Sequence, residues 1–109
     1  MAPEPERYLV VDGRRWRRQD PALPEDVAAR LRSELGKARS EVGRRTRAGE
    51  DPAAARARVS LAKHGLGERG TPWWEQSDAE RRERWEAALR DLDGTHPGDP
   101  GPTPWPAQR

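Results

Sequence analysis

Cysteine, phenylalanine, isoleucine and asparagine are absent from this sequence, and lysine occurs only at Lys37 and Lys63. Without cysteine there is no disulfide framework and no thiolate to bind a metal or attack a substrate, while the redox compartment stays open. Without phenylalanine or isoleucine, in 109 residues of which 32% are hydrophobic, the chain has room for one domain with a thin core that a partner or a second copy would help to complete. Long apolar runs are lacking too. No stretch approaches the length of a bilayer span, so no membrane is expected among the partners. Met1 to Glu6 is rich in proline and glutamate rather than basic and then apolar, which reads against a signal peptide and makes the cytoplasm the expected location.

Histidine is nearly missing as well, with only His64 and His96, and no phosphate loop, dinucleotide fingerprint or metal-spaced cluster of His, Asp and Glu occurs. Ser60 and His64 share a helical face, but neither an acid partner nor an oxyanion site accompanies them. The chain is therefore expected not to be an enzyme. No cofactor, metal or small-molecule substrate is implied.

Arginine is abundant, beside many alanines, prolines and glycines, a pattern that a GC-rich genome imprints whatever the function. Net charge is only +2, but it is unevenly spread: residues 1–74 carry 16 Lys/Arg against 11 Asp/Glu, and residues 75–109 carry 5 against 8. Such a split either steers a partner or lets the two halves attract each other.

Tyr8-Leu-Val-Val, Asp12-Gly13 and Arg14-Arg-Trp-Arg17 predict a β-hairpin over residues 8–17, because Asp-Gly accepts the positive φ angles of a type I′ turn. Two strands alone are marginal in water, so Leu9, Val11 and Trp16 are expected to pack on the helices. Pro24, with Glu25 and Asp26, opens a helix predicted over 24–48, where Leu31, Leu35, Ala38 and Val42 fall on one stripe that Val27 extends. After Gly49-Glu-Asp51, Pro52 starts a second helix over 52–66, with Ala55, Val59, Ala62 and Leu66 in the same spacing. Two matching stripes joined by a short turn make an antiparallel helical hairpin. Gly36 and Gly43 are candidates for close backbone approach, and Gly65, Gly67 and Gly70 for the end of the second helix. Thr71-Pro-Trp-Trp74 reads as an extended Trp-rich connector.

A third helix is predicted over 78–92 behind a capping box of Ser77 and Glu80, with Trp85, Ala88, Leu89 and Leu92 as its apolar face. Glu80 with Arg84 and Glu86 with Arg90 have the order favourable for i,i+4 pairs. Beyond Gly94, proline and glycine are too dense for packing, and residues 94–109 are expected to form a disordered tail. The fold class is thus mainly α, a small α+β domain over 1–93.

Two binding surfaces compete. Trp73 and Trp74, on a short Pro-preceded connector, are the candidate anchor for a protein partner or a second copy, with Trp16 beside them, because Trp is enriched at interface hot spots. The same rings also serve as packing mass at the junction of hairpin and helices, a double role that is met if Trp73 faces inward and Trp74 outward. The alternative is nucleic acid, bound by Arg14, Arg15, Arg17 and Arg18 around Trp16 and by Arg44, Arg45 and Arg47 at the end of the first helix, since arginine pairs with phosphate and Trp stacks on bases. On the helical wheel Arg30, Lys37 and Arg44 form one basic stripe, and Arg32 and Arg39 lie on the other flank of the apolar face.

Tyr8-Leu-Val-Val-Asp-Gly-Arg-Arg-Trp16, Asp20-Pro-Ala-Leu-Pro24 and Leu66-Gly-Glu-Arg-Gly-Thr-Pro-Trp-Trp74 together resemble an uncharacterised family of small Arg/Ala-rich bacterial proteins, over about residues 7–75. Relatives are sometimes labelled biopolymer transporter Tol. The resemblance implies no activity, cofactor or catalytic residue, and the label asks for membrane spans or propeller repeats that this sequence lacks. The expected function is non-catalytic protein interaction or self-association.

Overall fold

A computed structural model describes residues 7–94; Met1 to Glu6 and the segment beyond Gly94, with His96 and Trp105, lie outside the described residues. Strands β1 (Tyr8–Val11) and β2 (Arg14–Arg17) pair antiparallel, with Leu9 opposite Trp16 and Val11 opposite Arg14. Asp12 and Gly13 take φ of 52° and 78°, the left-handed pair that a tight hairpin turn requires. Because directly opposed residues share a face, Leu9, Val11, Arg14 and Trp16 line one side, and Tyr8, Val10, Arg15 and Arg17 the other.

Three helices follow: α1 (Glu25–Ala48), α2 (Ala53–Leu66) and α3 (Asp78–Asp93). Pro24 and Pro52 stand at the N-caps, one position before the helices they were expected to begin. Helices α1 and α2 form the antiparallel hairpin, and α3 packs mainly on α2. The core consists of Leu31 and Leu35 from α1, Ala62 and Leu66 from α2, and Trp85, Ala88 and Leu92 from α3, with Val27, Val59 and Leu89 at its margin. The three apolar stripes therefore point inward as their spacing requires, except that Val42, at the far end of the α1 stripe, borders an open depression.

The close approach falls at a different glycine from those expected. Gly36 faces open space and Gly43 only the side chain of Arg47, whereas a Cβ on Gly65 would stand 2.7 Å from the Ala88 Cβ and 3.0 Å from both Leu31 methyls. Gly65 lies inside α2 where the three helices meet, and the helix ends at Leu66 with Gly67 as its left-handed cap at φ 87°.

Ionic contacts also depart from the local pairs. The capping box of Ser77 and Glu80 is present, so Glu80 serves the backbone instead of Arg84. Arg84 instead donates to the Asp20 carboxylate at 2.8 Å, to Gln76 and to the Gly65 carbonyl, and Arg90 pairs with Glu83 rather than Glu86. Arg81 joins the buried Asp20 from one turn earlier. Arg58, also buried, donates to Glu34 at 2.6 Å and ties α2 to α1.

Leu9, Val11 and Trp16, expected to pack on the helices, stay outside the core and are 44%, 46% and 45% exposed. The physical reason is that the three helices satisfy one another's stripes, and the hairpin is moored through its other side. Arg17 donates to the Gly70 carbonyl, the Trp73 indole N–H donates to the Arg18 carbonyl at 2.9 Å, and Tyr8 meets Trp74 edge to face.

Candidate functional site

Trp73 and Trp74 sit in a short 3-10 turn (Trp73–Glu75) rather than an extended connector, since Pro72 directs the chain into a turn closed by the Glu75 N–H on the Pro72 carbonyl. Trp73 is buried and Trp74 half-buried, the inward and outward pair that allows both roles. Trp74 is nevertheless well occupied: Trp73 lies edge-on at 5.1 Å and Tyr8 at 5.6 Å, while the Arg7 and Arg17 guanidinium groups sit over its ring at 4.9 and 5.7 Å. The doublet is a joint between hairpin and helices. Trp16 is the indole that remains open among those of the described residues.

The two arginine clusters have different surroundings. Arg14 lies over Trp16 at 5.0 Å and Arg15 over Tyr8 at 4.1 Å, while the Arg18 side chain donates to the Tyr8 carbonyl. At the end of α1, by contrast, Arg44 and Arg45 both bond to Glu41, Arg45 also reaches Glu50, and Arg47 folds back toward Gly43. These bonds, Arg45 first, hold the Glu41 carboxyl below the usual glutamate range, and Glu41 raises Arg45 in return. No hydrogen bond, ion pair or ring contact among the described residues joins this cluster to the hairpin.

A third group of cations gathers instead around an open groove of about 770 Å³ between the exposed hairpin face and the helices, where Leu9, Val11 and Trp16 face Arg39 and Lys63. Arg39 also borders a smaller depression of about 310 Å³ with Val42, Val59, Arg56 and Arg69. The two join into one face, on the flank of the helical hairpin turned away from α3. Helical spacing explains the grouping: Arg56 and Lys63 lie seven residues apart, far round α2 from Arg58 and Gly65, which meet α3.

Arg39, Arg56, Lys63 and Arg69 form no ion pair with a described residue, whereas Arg30, Arg32, Arg44, Arg45, Arg58, Arg81, Arg84 and Arg90 each do. Burial pushes the Lys63 ammonium below the usual lysine range, and the charges of Arg69 and Arg39 push it further. Glu68 is the one acid lining either depression, and it accepts a hydrogen bond from Gln19 at 3.0 Å. Lys63 stands over the Trp16 ring at 5.9 Å.

A sequence signal marks three of these cations. Arg39, Arg56 and Lys63 have no acidic residue three or four positions away on either side, while Arg44 and Arg45 share Glu41 at just those offsets. Ser60 and His64 do not form a nucleophile and base: the His64 ring Nδ1 contacts the Ser60 backbone carbonyl at 3.1 Å instead of the hydroxyl. Among the described residues no group of three His, Asp or Glu is placed to hold a metal ion, and no helix is long and apolar enough to cross a membrane. No family model, curated protein or solved structure matches the chain.

Proposed function

We propose that this domain is a non-catalytic binding module whose ligand is nucleic acid, held by its phosphate backbone along the face shared by Arg39, Arg56, Lys63 and Arg69, with Arg17 and Arg18 at the hairpin side. The observation that carries this reading is that Arg39, Arg56, Lys63 and Arg69, none of them ion-paired to a described residue, border a groove and an adjoining depression with Glu68 as the one acid lining them. A surface ion pair contributes only about 0–1 kcal/mol of stability, but it offsets charge that a polyanion would otherwise meet. Eight other arginines are neutralised in that way. Arg39, Arg56, Lys63 and Arg69, which border the groove and the depression beside it, gain from a polyanion that releases its own condensed ions on binding.

Substituting Arg39→Ala with Lys63→Ala tests the assignment. Both side chains reach the groove rather than the core, so the fold is retained, and the affinity for any oligonucleotide falls at least tenfold at about 50 mM salt. The charge-matched control Arg82→Ala with Arg90→Ala on α3 leaves binding within about twofold. Equal losses in both variants would reduce the effect to net charge and overturn the assignment.

A second reading is favoured by a separate observation: Leu9, Val11 and Trp16 are exposed on one face of a sheet that ends at two strands. Apolar surface beside open strand edges suits a protein partner or a second copy that adds a strand. Association of that kind is insensitive to salt and to Arg39→Ala with Lys63→Ala, and light scattering across concentration detects the self-associating form.

A further inference from the structure

We infer that the groove takes a single strand rather than a duplex, with Trp16 as the platform on which a base stacks and Arg39, Lys63 and Arg69 holding the phosphates beside it. The inference rests on the nucleic-acid reading above and deepens it. Three observations on the same site support it. First, Trp16 is exposed while Trp73 and Trp85 are buried and Trp74 is covered by Tyr8, Trp73 and two arginines. Second, Leu9 stands directly opposite Trp16 on the hairpin and Val11 shares its face, which gives the indole an apolar backing. Third, Arg14 and Lys63 already lie over the ring at 5.0 and 5.9 Å, so a stacked base would displace cations that are then in position for its flanking phosphates.

Duplex form keeps the faces of its bases stacked on one another and offers an indole nothing to stack on, whereas every base of a single strand presents a free face. Charge alone would serve either form. The exposed Trp within the basic groove is what separates them.

The test uses the full chain with fluorescein-labelled homopyrimidine single strands of DNA and RNA, the matching DNA duplex, and poly-glutamate as a polyanion without bases. Single strands are expected to bind at least tenfold more tightly than the duplex or poly-glutamate at about 100 mM salt, with quenching of the indole emission. Trp16→Leu keeps apolar bulk on the exposed hairpin face but removes the stacking surface. It should weaken single-strand binding roughly 5- to 100-fold, abolish most of the quenching and leave the weaker duplex binding unchanged. A Trp16→Leu variant with undiminished single-strand affinity, or a wild type that prefers the duplex, overturns this inference while leaving the phosphate-binding reading standing. Poly-glutamate bound as tightly as a single strand overturns it in favour of an acidic protein partner, and no binding of any oligonucleotide removes both readings.

Discussion

Asp20 is the residue on which the linkage between hairpin and helices turns. Its carboxylate is fully enclosed, with Arg84 at 2.8 Å and Arg81 at 3.4 Å, one oxygen also accepts the Ala22 N–H, and its own N–H donates to the Leu66 carbonyl. Removing one member of such a cluster leaves buried guanidinium charge without its partner, a loss of about 3–5 kcal/mol. Asp20→Ala is therefore expected to lower the urea midpoint by an amount that corresponds to at least about 3 kcal/mol, and an effect under about 1 kcal/mol would mean that water replaces the carboxylate there. Glu41 gives a prediction with a pH signature. Because Arg45 and Arg44 hold its folded-state carboxyl below the ordinary range, the stabilisation is fully present above the ordinary glutamate pKa and is lost as pH falls through the lowered one. Glu41→Gln should accordingly be less stable than the wild type at neutral pH, and the gap in melting temperature should close below about pH 4.

At the scale of elements, Gly65 sets how closely α2 lies against α1 and α3. Gly65→Ala places a methyl group against Ala88 and Leu31 and is expected to destabilise by about 1–3 kcal/mol. Gly36→Ala, with open space around it, gains roughly 0.5–1 kcal/mol of helix propensity. Chemical denaturation of the two variants should move the midpoint in opposite directions. Both glycines lie inside helices and look alike in the sequence, so which one is essential depends on a third element, at Ala88 of α3, which no local pattern around Gly65 reveals. The same distinction governs what else was legible. Local patterns carried the architecture: the 4, 3, 4 stripes placed α1 and α2, Ser77 with Glu80 placed the start of α3, and Asp12-Gly13 placed the turn between the strands. Contacts that span the chain were not legible, because Asp20 with Arg84, and Glu34 with Arg58, are paired by the tertiary fold with no periodic mark. The hairpin alternation was readable, but which face would be buried depended on the mooring at Trp74 and Gly70. Arg44 and Arg45 stood out by clustering, although Glu41 at helical spacing was already the sign that their charge is spoken for.

Across the whole molecule, the uneven charge of the sequence becomes a spatial separation. Acidic α3 packs on one side of the helical hairpin, where Asp93 bonds to Arg30 and, with Glu34, raises that guanidinium further, while Asp20 holds Arg81 and Arg84. Those contacts occupy Arg30 of α1 and two of α3's own arginines. The opposite flank keeps Arg39, Arg56, Lys63 and Arg69 uncompensated, and the hairpin places an open indole at their edge. A polyanion would thus be attracted to one side of the molecule, an arrangement that orients a ligand before contact. The most direct test of this separation is the salt dependence of single-strand binding, wild type against Arg39→Ala with Lys63→Ala. Each phosphate contact to a single strand contributes about −0.7 to the slope of log K against log salt, so removing two cations should make the slope shallower by about 1.4. Slopes that coincide, at whatever affinity, would contradict the account, because they would place the phosphates somewhere other than this groove.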